Sequence, residues 1–495
     1  MTVQKEFDVI VVGGGGSGLA AAVTAAEKYS TLLLERMPFL GGSTGIAVGS
    51  FTANQTQFQK KRGIEDNPDD HEQDAAKFGP PEYQERNNTQ LRRFFLAQTN
   101  QTLEWLKSLG LSFHGPSPEP PNRVPRMHNV VPNAKAYIAV LQSCFLRKGG
   151  TIECNAEVTG LTFESGCCVG VKATINGTPQ TLRARRGVIL AAGDYAGSPE
   201  MIAQYKGAQF AAIEGINPYA RGDGHRLAQA AGAPLLNMDI TYGPELRFVP
   251  PPRKPFSQLL PAGGICGWAM GVALPFVPEW FIKILVKRLL VTWQHPENAL
   301  FDDGAILINS NGERFCNETA TPERETLIAE QAGKISYILL DRPLIEKYSQ
   351  WPHFISTAPE IAYAYVKDYL RLRKDVAVSG KTIEEIARKR KIPLEALKKT
   401  VQDWQERGIG SDKESGGGEA IDQWVLLGPI KSYFTTTEGG PAINEKCQLL
   451  DKQGTPIPGV YAAGQNGLGG MVLWGHGLHI AWAITSGRIA GRLES

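Results

Sequence analysis

Residues 7–37, FDVIVVGGGGSGLAAAVTAAEKYSTLLLERM, leave the chain few choices of fold. Asp8-Val9-Ile10-Val11-Val12 is a short β-branched run, apolar on both faces, as in a strand buried within a parallel sheet. Gly13, Gly15 and Gly18 then fill the GxGxxG spacing. The first permits a tight turn, the second lets backbone approach a pyrophosphate, and the third lets a helix pack on the sheet. That helix carries Ser17 at its start and points its positive end at the phosphates. Thr31-Leu32-Leu33-Leu34 reads as the second strand, and Glu35 follows about 20 residues after the glycines, where a ribose hydroxyl needs an acceptor. Strand, turn, helix, strand and acid fall in order, so these residues predict a dinucleotide site rather than an ordinary glycine turn.

The rest of the composition narrows the class. At 495 residues, 42% hydrophobic and 21% charged, the chain has the length and balance of a soluble protein of two or three domains. A net charge of +2 gives no electrostatic reason to expect nucleic acid. The seven cysteines show no CxxC or CxxCH spacing, so no metal, iron–sulfur or attached haem site is predicted, and electrons must be exchanged with an outside partner. Scattered thiols and the lack of a recognisable signal peptide favour a cytoplasmic location.

A glycine- and hydroxyl-rich loop follows, with Gly41-Gly42-Ser43-Thr44 at its centre, suited to packing against a flat ring. Here the chain resembles the flavoproteins of the fumarate reductase, succinate dehydrogenase and 3-ketosteroid dehydrogenase superfamily, which show GxGxxG, an acid-Arg pair (Glu35-Arg36) and GG-[SN]-T in the same order. The resemblance continues through Trp105-Leu106-Lys107-Ser108-Leu109-Gly110, the strand ending Ala191-Ala192-Gly193-Asp194, and Asp223 to Ala233. It resumes in the hairpin-like GAILINSNGERFCNE of residues 304–318, Thr437-Glu438-Gly439-Gly440, and Tyr461-Ala462-Ala463-Gly464-Gln465. It implies an α/β architecture: a Rossmann-like FAD-binding domain of residues 1–237 and 437–495, with a small β-excursion, and an inserted α+β capping or substrate domain of residues 238–436. Ser43 stands near the position where membrane-bound members carry flavin on a histidine, so the resemblance implies non-covalent FAD. Ala192, Gly193, Gly464, Gln465, His479 and Ile480 join the cofactor contacts on the same ground. The glycine turn ahead of the C-terminal helix aims that helix's positive end at the flavin, favouring negative charge on the reduced ring.

Several stretches take simpler readings. Asp66, Asp69, Asp70, Glu72 and Asp74 lack ligand spacing and read as a solvated loop leading into a helix. Asp223 reads as a helix cap, Arg314 and Glu318 as a structural pair, and Thr382 with Glu385 as a capping box. Residues 114–125 carry five prolines, which exclude helix and central strand and leave a stiff loop over the flavin or a surface connector. The stretch 275–294, opening on Pro275 and closing on Gln294, reads as a basic amphipathic helix too charged to span a bilayer. It either makes peripheral membrane contact, gates an entrance for a greasy substrate, or packs on the protein's own core. Residues 411–419 read as a flexible surface loop.

The chemistry is read from what the site lacks. In fumarate reductases two histidines and arginines hold a dicarboxylate; the matching positions here are Tyr242 and Thr436. In 3-ketosteroid dehydrogenases a GPG turn and tyrosines hold and deprotonate the ketone; the turn matches Gly475-His476-Gly477, but the tyrosine falls at Leu473. The expected reaction is therefore FAD-dependent desaturation of a ketone to an enone, or the reverse, on an apolar small molecule with an external electron acceptor or donor. His476 and Tyr242 are the candidate acid–base groups, Gly477 a backbone donor, and Arg324 a match to the proton-donor arginine only with a small insertion. A carboxylate-specific ene-reductase and a non-catalytic electron-relay subunit remain as alternatives.

Overall fold

The computed structural model describes residues 5–253, 259–358, 362–406 and 423–494. Its organising element is an eight-stranded sheet in which Glu6–Val12 lies between Thr31–Leu34 and Thr178–Leu190, parallel to both. Thr151–Glu153 extends the parallel array on one side and Pro456–Ala462 on the other. The last strand explains how a segment near the C-terminus reaches the N-terminal glycine turn. Val9, Ile10 and Val11 are fully buried, as the two-faced apolar run requires. The helices Gly16–Ala25 and Leu478–Gly491 pack against each other closely enough that a Cβ on Gly487 would lie 2.3 Å from the Ser17 carbonyl oxygen.

The predicted β-excursion is present but continuous with the main sheet. Ala156–Glu164 and Cys167–Ile175 pair in antiparallel fashion with the first half of Thr178–Leu190, whose second half runs in the parallel array. Thr178–Leu190 is thus one continuous strand of 13 residues that joins the excursion to the parallel array. Asn176 and Gly177 both take positive φ, as the tight hairpin turn demands.

A second sheet of six strands is built around Trp424–Phe434, which pairs with Glu214–Gly215, Glu245–Phe248, Ser336–Leu340 and Ala377–Gly380. Two short antiparallel ladders lie where the chain passes between the sheets: Leu235–Leu236 with Gly440–Pro441, and Thr241–Tyr242 with Thr436–Thr437. The outgoing and returning strands thus hold each other, and Tyr242 is fixed beside the nucleotide-binding end.

Some local readings change. The acids of residues 66–74 are not a solvated cluster: Asp66 and Asp74 are buried against Arg126, and Glu72 against Arg92. Asp69 and Asp70 are themselves exposed and pair with Arg93 and Arg123. Asp223 does not cap its helix; Gly222 holds that position, and Asp223 pairs with Arg36 at 2.9 Å. Thr382 precedes its helix without a side-chain capping bond, and Glu385 Oε2 accepts from the Lys381 N–H, so neither half of the expected capping box is made. The second strand at 304–318 shrinks to a bridge between Ile308 and Arg314, since the Asn309 side chain takes the N–H groups of Asn311 and Glu313. Arg314 and Glu318 do pair, at 2.6 Å.

Residues Glu279–Trp293 form the expected helix, and Leu290 and Val291 at its end are buried in the core of the second sheet. Ile284 remains 46% exposed, while the side chains of Trp280 and Phe281, and the loop at 411–419, lie outside the described residues. No helix among the described residues is long and apolar enough to cross a membrane.

The Arg126 network carries a stability prediction. Its guanidinium bonds Asp66 Oδ1 at 2.7 Å and Asp74 Oδ2 at 2.6 Å, all with side chains at most 1% exposed. Arg126→Met leaves two buried carboxylates without that cation and is expected to destabilise the protein by roughly 3–5 kcal/mol in urea melts. Burial raises the Asp74 carboxyl, but bonds from Lys77, Arg123 and Arg126 outweigh it and hold it well below the usual range. A depressed carboxyl stabilises above its unfolded pKa near ~3.9 and loses that contribution as pH falls. The deficit of the variant should accordingly shrink in acid.

Candidate active site

The glycine turn forms a cradle with room on one side only. A Cβ on Gly13 would lie 2.4 Å from the Ala191 carbonyl oxygen and one on Gly18 1.8 Å from that of Gly13, whereas one on Gly15 meets nothing nearer than 3.9 Å. Gly193, at φ +81°, has nothing within 4 Å of its Cβ position. Glu35 accepts from the Gly14 N–H at 2.7 Å and the Met37 N–H at 2.8 Å, which holds its carboxylate at the strand end. Arg36 donates to the Tyr219 carbonyl and Asp223; Ser43 accepts from Asn217, and Gly42 and Thr44 sit in the short helix Gly42–Ile46. Ser17 is buried below Gly464.

Beyond the turn, two buried polar atoms lack protein partners. Gln465 donates from Nε2 to Thr436 Oγ1 and the Thr437 carbonyl, leaving Oε1 unsatisfied. Asn466 accepts from the Ala192 N–H and leaves Nδ2 unsatisfied. Buried orphans cost free energy unless a ligand or water meets them. With the open cradle at Gly15 they fit FAD: an apolar-walled phosphate turn, an acid at the strand end, and donors and acceptors further along.

At the other end the turn Gly475-His476-Gly477 is fixed from two sides. Thr52 donates from Oγ1 to the His476 carbonyl at 2.6 Å and from N–H to the Gly477 carbonyl at 3.3 Å. Glu119 Oε1 accepts from the His476 N–H at 2.7 Å and lies 2.6 Å from its Nδ1. The His476 side chain is 60% exposed although its carboxylate partner is 7% exposed, so its ring is open to a ligand. The surrounding protein desolvates the ring and pulls its pKa down even though one side stays open, but the hydrogen bond and charge of Glu119, helped by Glu245, outweigh that and hold it above the usual histidine value. Gly477 takes φ +87° at the N-terminus of the helix, and a Cβ there would lie 2.7 Å from Thr52 Oγ1.

Next to this turn is an aromatic wall. Trp474 meets Tyr242 edge-on at 5.1 Å and Tyr83 at 5.7 Å, and its buried indole N–H has no partner. Burial raises the Tyr242 phenol, so at neutral pH it is a proton-bearing donor rather than a base. Behind the wall His479 Nε2 lies 2.7 Å from Glu438 Oε1, and Glu438, fully buried, also accepts from the Leu473 N–H. Burial pushes the Asp194 carboxyl up to about 6, with the Ala196 N–H and Thr436 hydroxyl pulling it back only in part. Ile480 is buried in the helix beside His479.

Arg324 stands apart. It is 3% exposed, bonded to Glu325, the Glu318 carbonyl and Asn298, and lies over the Phe301 ring at 4.7 Å. Its guanidinium N–H groups are engaged by these partners in packing the second sheet rather than offered as a proton donor. In contrast, Glu119, Glu438, Asp194 and His295 gather near His476 and His479 without having been singled out for chemistry. Glu119 is the one acid among residues 114–125, and Glu438 interrupts a Thr-Gly-Gly pattern; those were the signals available.

The open cradle, parallel sheet and returning C-terminal helix define a dinucleotide-binding flavoprotein. The chain belongs to the family described as FAD binding domain, whose model matches residues 8–252 and 267–475. It is an FAD-dependent oxidoreductase. It is 26% identical over 499 residues to a probable fumarate reductase of Shewanella frigidimarina, covering 98% of this chain and 74% of the relative. It is 25% identical to a vinyl phenol reductase of Lactiplantibacillus plantarum (99% and 97% covered) and 25% identical to a 3-oxosteroid 1-dehydrogenase of Mycobacterium tuberculosis (94% and 93% covered). Among solved structures, the open conformation of a flavocytochrome c3 fumarate reductase superposes with a TM-score of 0.73 at 24% identity, covering 99% of this chain and 78% of that one.

Ser43 bonds Asn217 and offers no group for covalent attachment, so acid precipitation of purified protein is expected to release all of its FAD into the supernatant. Yellow colour retained in the pellet is the contrary result.

Proposed function

We propose that the chain reduces or desaturates a C–C bond next to a carbonyl on a neutral, largely apolar substrate. Bound FAD supplies hydride transfer; the chain's residues hold the substrate and move the proton. The observation that carries the reading is Trp474, packed between Tyr83 and Tyr242 with its buried N–H unpaired, two residues before His476. This wall offers flat apolar contact and neutral donors, the indole N–H and the Tyr242 hydroxyl, to a ketone oxygen. His476, open on one side and held by Glu119 on the other, exchanges the proton, and the Gly477 N–H at the helix terminus adds a backbone donor.

The charges around the turn favour a neutral substrate. Arg247 is paired with Glu245 at 2.5 Å, and the carboxylates of Glu119 and Glu438 face His476 and His479. A dicarboxylate approaching His476 would meet these acids without the arginine clamp that makes charge-assisted bonds strong. The relative named as a 3-oxosteroid 1-dehydrogenase supports a carbonyl-bearing apolar substrate, the vinyl phenol reductase supports a neutral aromatic alkene but carries no carbonyl, and the probable fumarate reductase supports action on a C=C bond. Titration of oxidised protein with cyclic ketones and enones should perturb the visible flavin spectrum saturably. Fumarate and succinate should not; saturable perturbation by fumarate alone would establish the carboxylate reading instead.

A further inference from the structure

We propose that Glu119 is a positioning residue that acts through His476, fixing one imidazole tautomer so that Nε2 faces the substrate and placing a compensating charge behind the ring. The proposal deepens the reading above and rests on His476 being the proton-exchanging group. A single carboxylate oxygen, Glu119 Oε1, receives both the backbone N–H and the side-chain Nδ1 of His476, at 2.7 and 2.6 Å. That double contact orients the ring and the turn together. With Nδ1–H committed to the carboxylate, Nε2 is the atom left to gain or lose a proton. A carboxylate behind an imidazole also stabilises its charged form, the role such pairs serve in acyl-transfer triads.

Glu119 is itself held in place. Its segment is tied on one side by Arg62 Nη1 to the Pro116 carbonyl at 2.7 Å, and on the other by Gln59 Nε2 to the Pro125 carbonyl at 3.0 Å. Asn122 donates its N–H to the Glu119 carbonyl, and Arg123 and Arg126 anchor the far end of the segment on Asp74. The proline-rich segment is therefore neither a free lid nor a bare connector but a braced arm that presents one carboxylate to the catalytic turn. Other charged or titratable groups near His476 offset one another. Glu245 and Arg247, on the strand Glu245–Phe248, pair together, while burial pulls His295 down toward its neutral form and keeps Tyr242 protonated. Glu119 is left as the uncompensated charge on the ring.

The test is a pH series of two-bond ¹H–¹⁵N correlation spectra on FAD-loaded protein with ¹⁵N-labelled histidine, with the His476 peaks assigned by their loss in His476→Ala. In the parent, neutral His476 should be the Nδ1–H tautomer and titrate above the ordinary value near ~6.5. Glu119→Gln keeps an acceptor but loses the charge, and should lower the midpoint by about 1–3 units. Glu119→Ala should lose the tautomer preference as well. In alkene-driven oxidation of reduced flavin, Glu119→Ala should slow the parent yet change the His476→Ala background by less than about twofold, as expected for residues acting as one unit. The two readings fail separately. An unchanged His476 midpoint and tautomer in both Glu119 variants overturns the positioning role, whereas an unchanged rate in His476→Ala overturns the acid–base reading beneath it.

Discussion

A Gly15→Val variant is expected to fold and to melt like the parent stripped of its FAD, but to purify without colour. Gly15 lies at φ −80°, ψ −171°, an extended conformation open to any L residue, and a Cβ there finds no protein atom closer than 3.9 Å. The space that valine fills is therefore the ligand's and not the protein's, because the second glycine of the motif is where backbone approaches the pyrophosphate. Overpacking costs about 1–3 kcal/mol even in a yielding site, which is ~5- to 150-fold in affinity, and a rigid pyrophosphate against a helix end yields little. Gly13→Val and Gly18→Val make the contrast, since their side chains would collide with the Ala191 and Gly13 carbonyls and damage the fold itself. Fluorescence titration with FAD, beside a circular-dichroism melt, separates the two cases. A folded Gly15→Val protein that keeps its flavin would show that the cradle is misassigned.

His476→Ala is expected to slow hydride exchange between flavin and substrate by about 10²- to 10⁴-fold, the reach of one acid–base group, without releasing FAD. The contacts of His476 run to Glu119 and Thr52, away from the phosphate cradle, so cofactor binding should survive the change. The pH dependence has a definite sign. Because Glu119 holds the imidazole pKa above its usual value, the protonated donor persists above the ordinary histidine range, and the reducing rate falls as pH rises through the raised value. Desaturation, which needs the neutral base, should rise over the same interval. Stopped-flow rates across pH check both, and a parent limb at or below the ordinary value would contradict the electrostatic reading.

How much of this was legible beforehand depends on the range of each interaction. The nucleotide cradle is local: glycine spacing, a β-branched run and an acid lie within residues 7–37, and each is dictated by sterics that any chain obeys. Partner choice is not local. His476 and Glu119 are 357 residues apart, and no pattern in either segment announces the other. Asp223 could be read as a cap because aspartate favours that position, but the pairing with Arg36, 187 positions earlier in the chain, decides its role. The acids of residues 66–74 looked solvated because their arginines lie elsewhere, at Arg92, Arg123 and Arg126. Arg324 matches a proton donor only with a small insertion, and its bonds to Glu325 and Asn298 and its place over Phe301 pack it into the second sheet.

The central claim is that electrons pass between the bound flavin and a neutral carbonyl-bearing substrate. It is tested most directly by reducing the purified protein anaerobically and mixing it with cyclic enones, aryl alkenes or fumarate while flavin absorbance is followed by stopped flow. The structure, with Trp474 and Tyr242 beside His476 and Arg247 neutralised by Glu245, predicts rapid return of the oxidised spectrum with a neutral enone and none with fumarate. Rapid reoxidation by fumarate with none by any neutral alkene would contradict the substrate assignment, and reoxidation by no alkene at all would leave a flavin-binding relay in place of an enzyme.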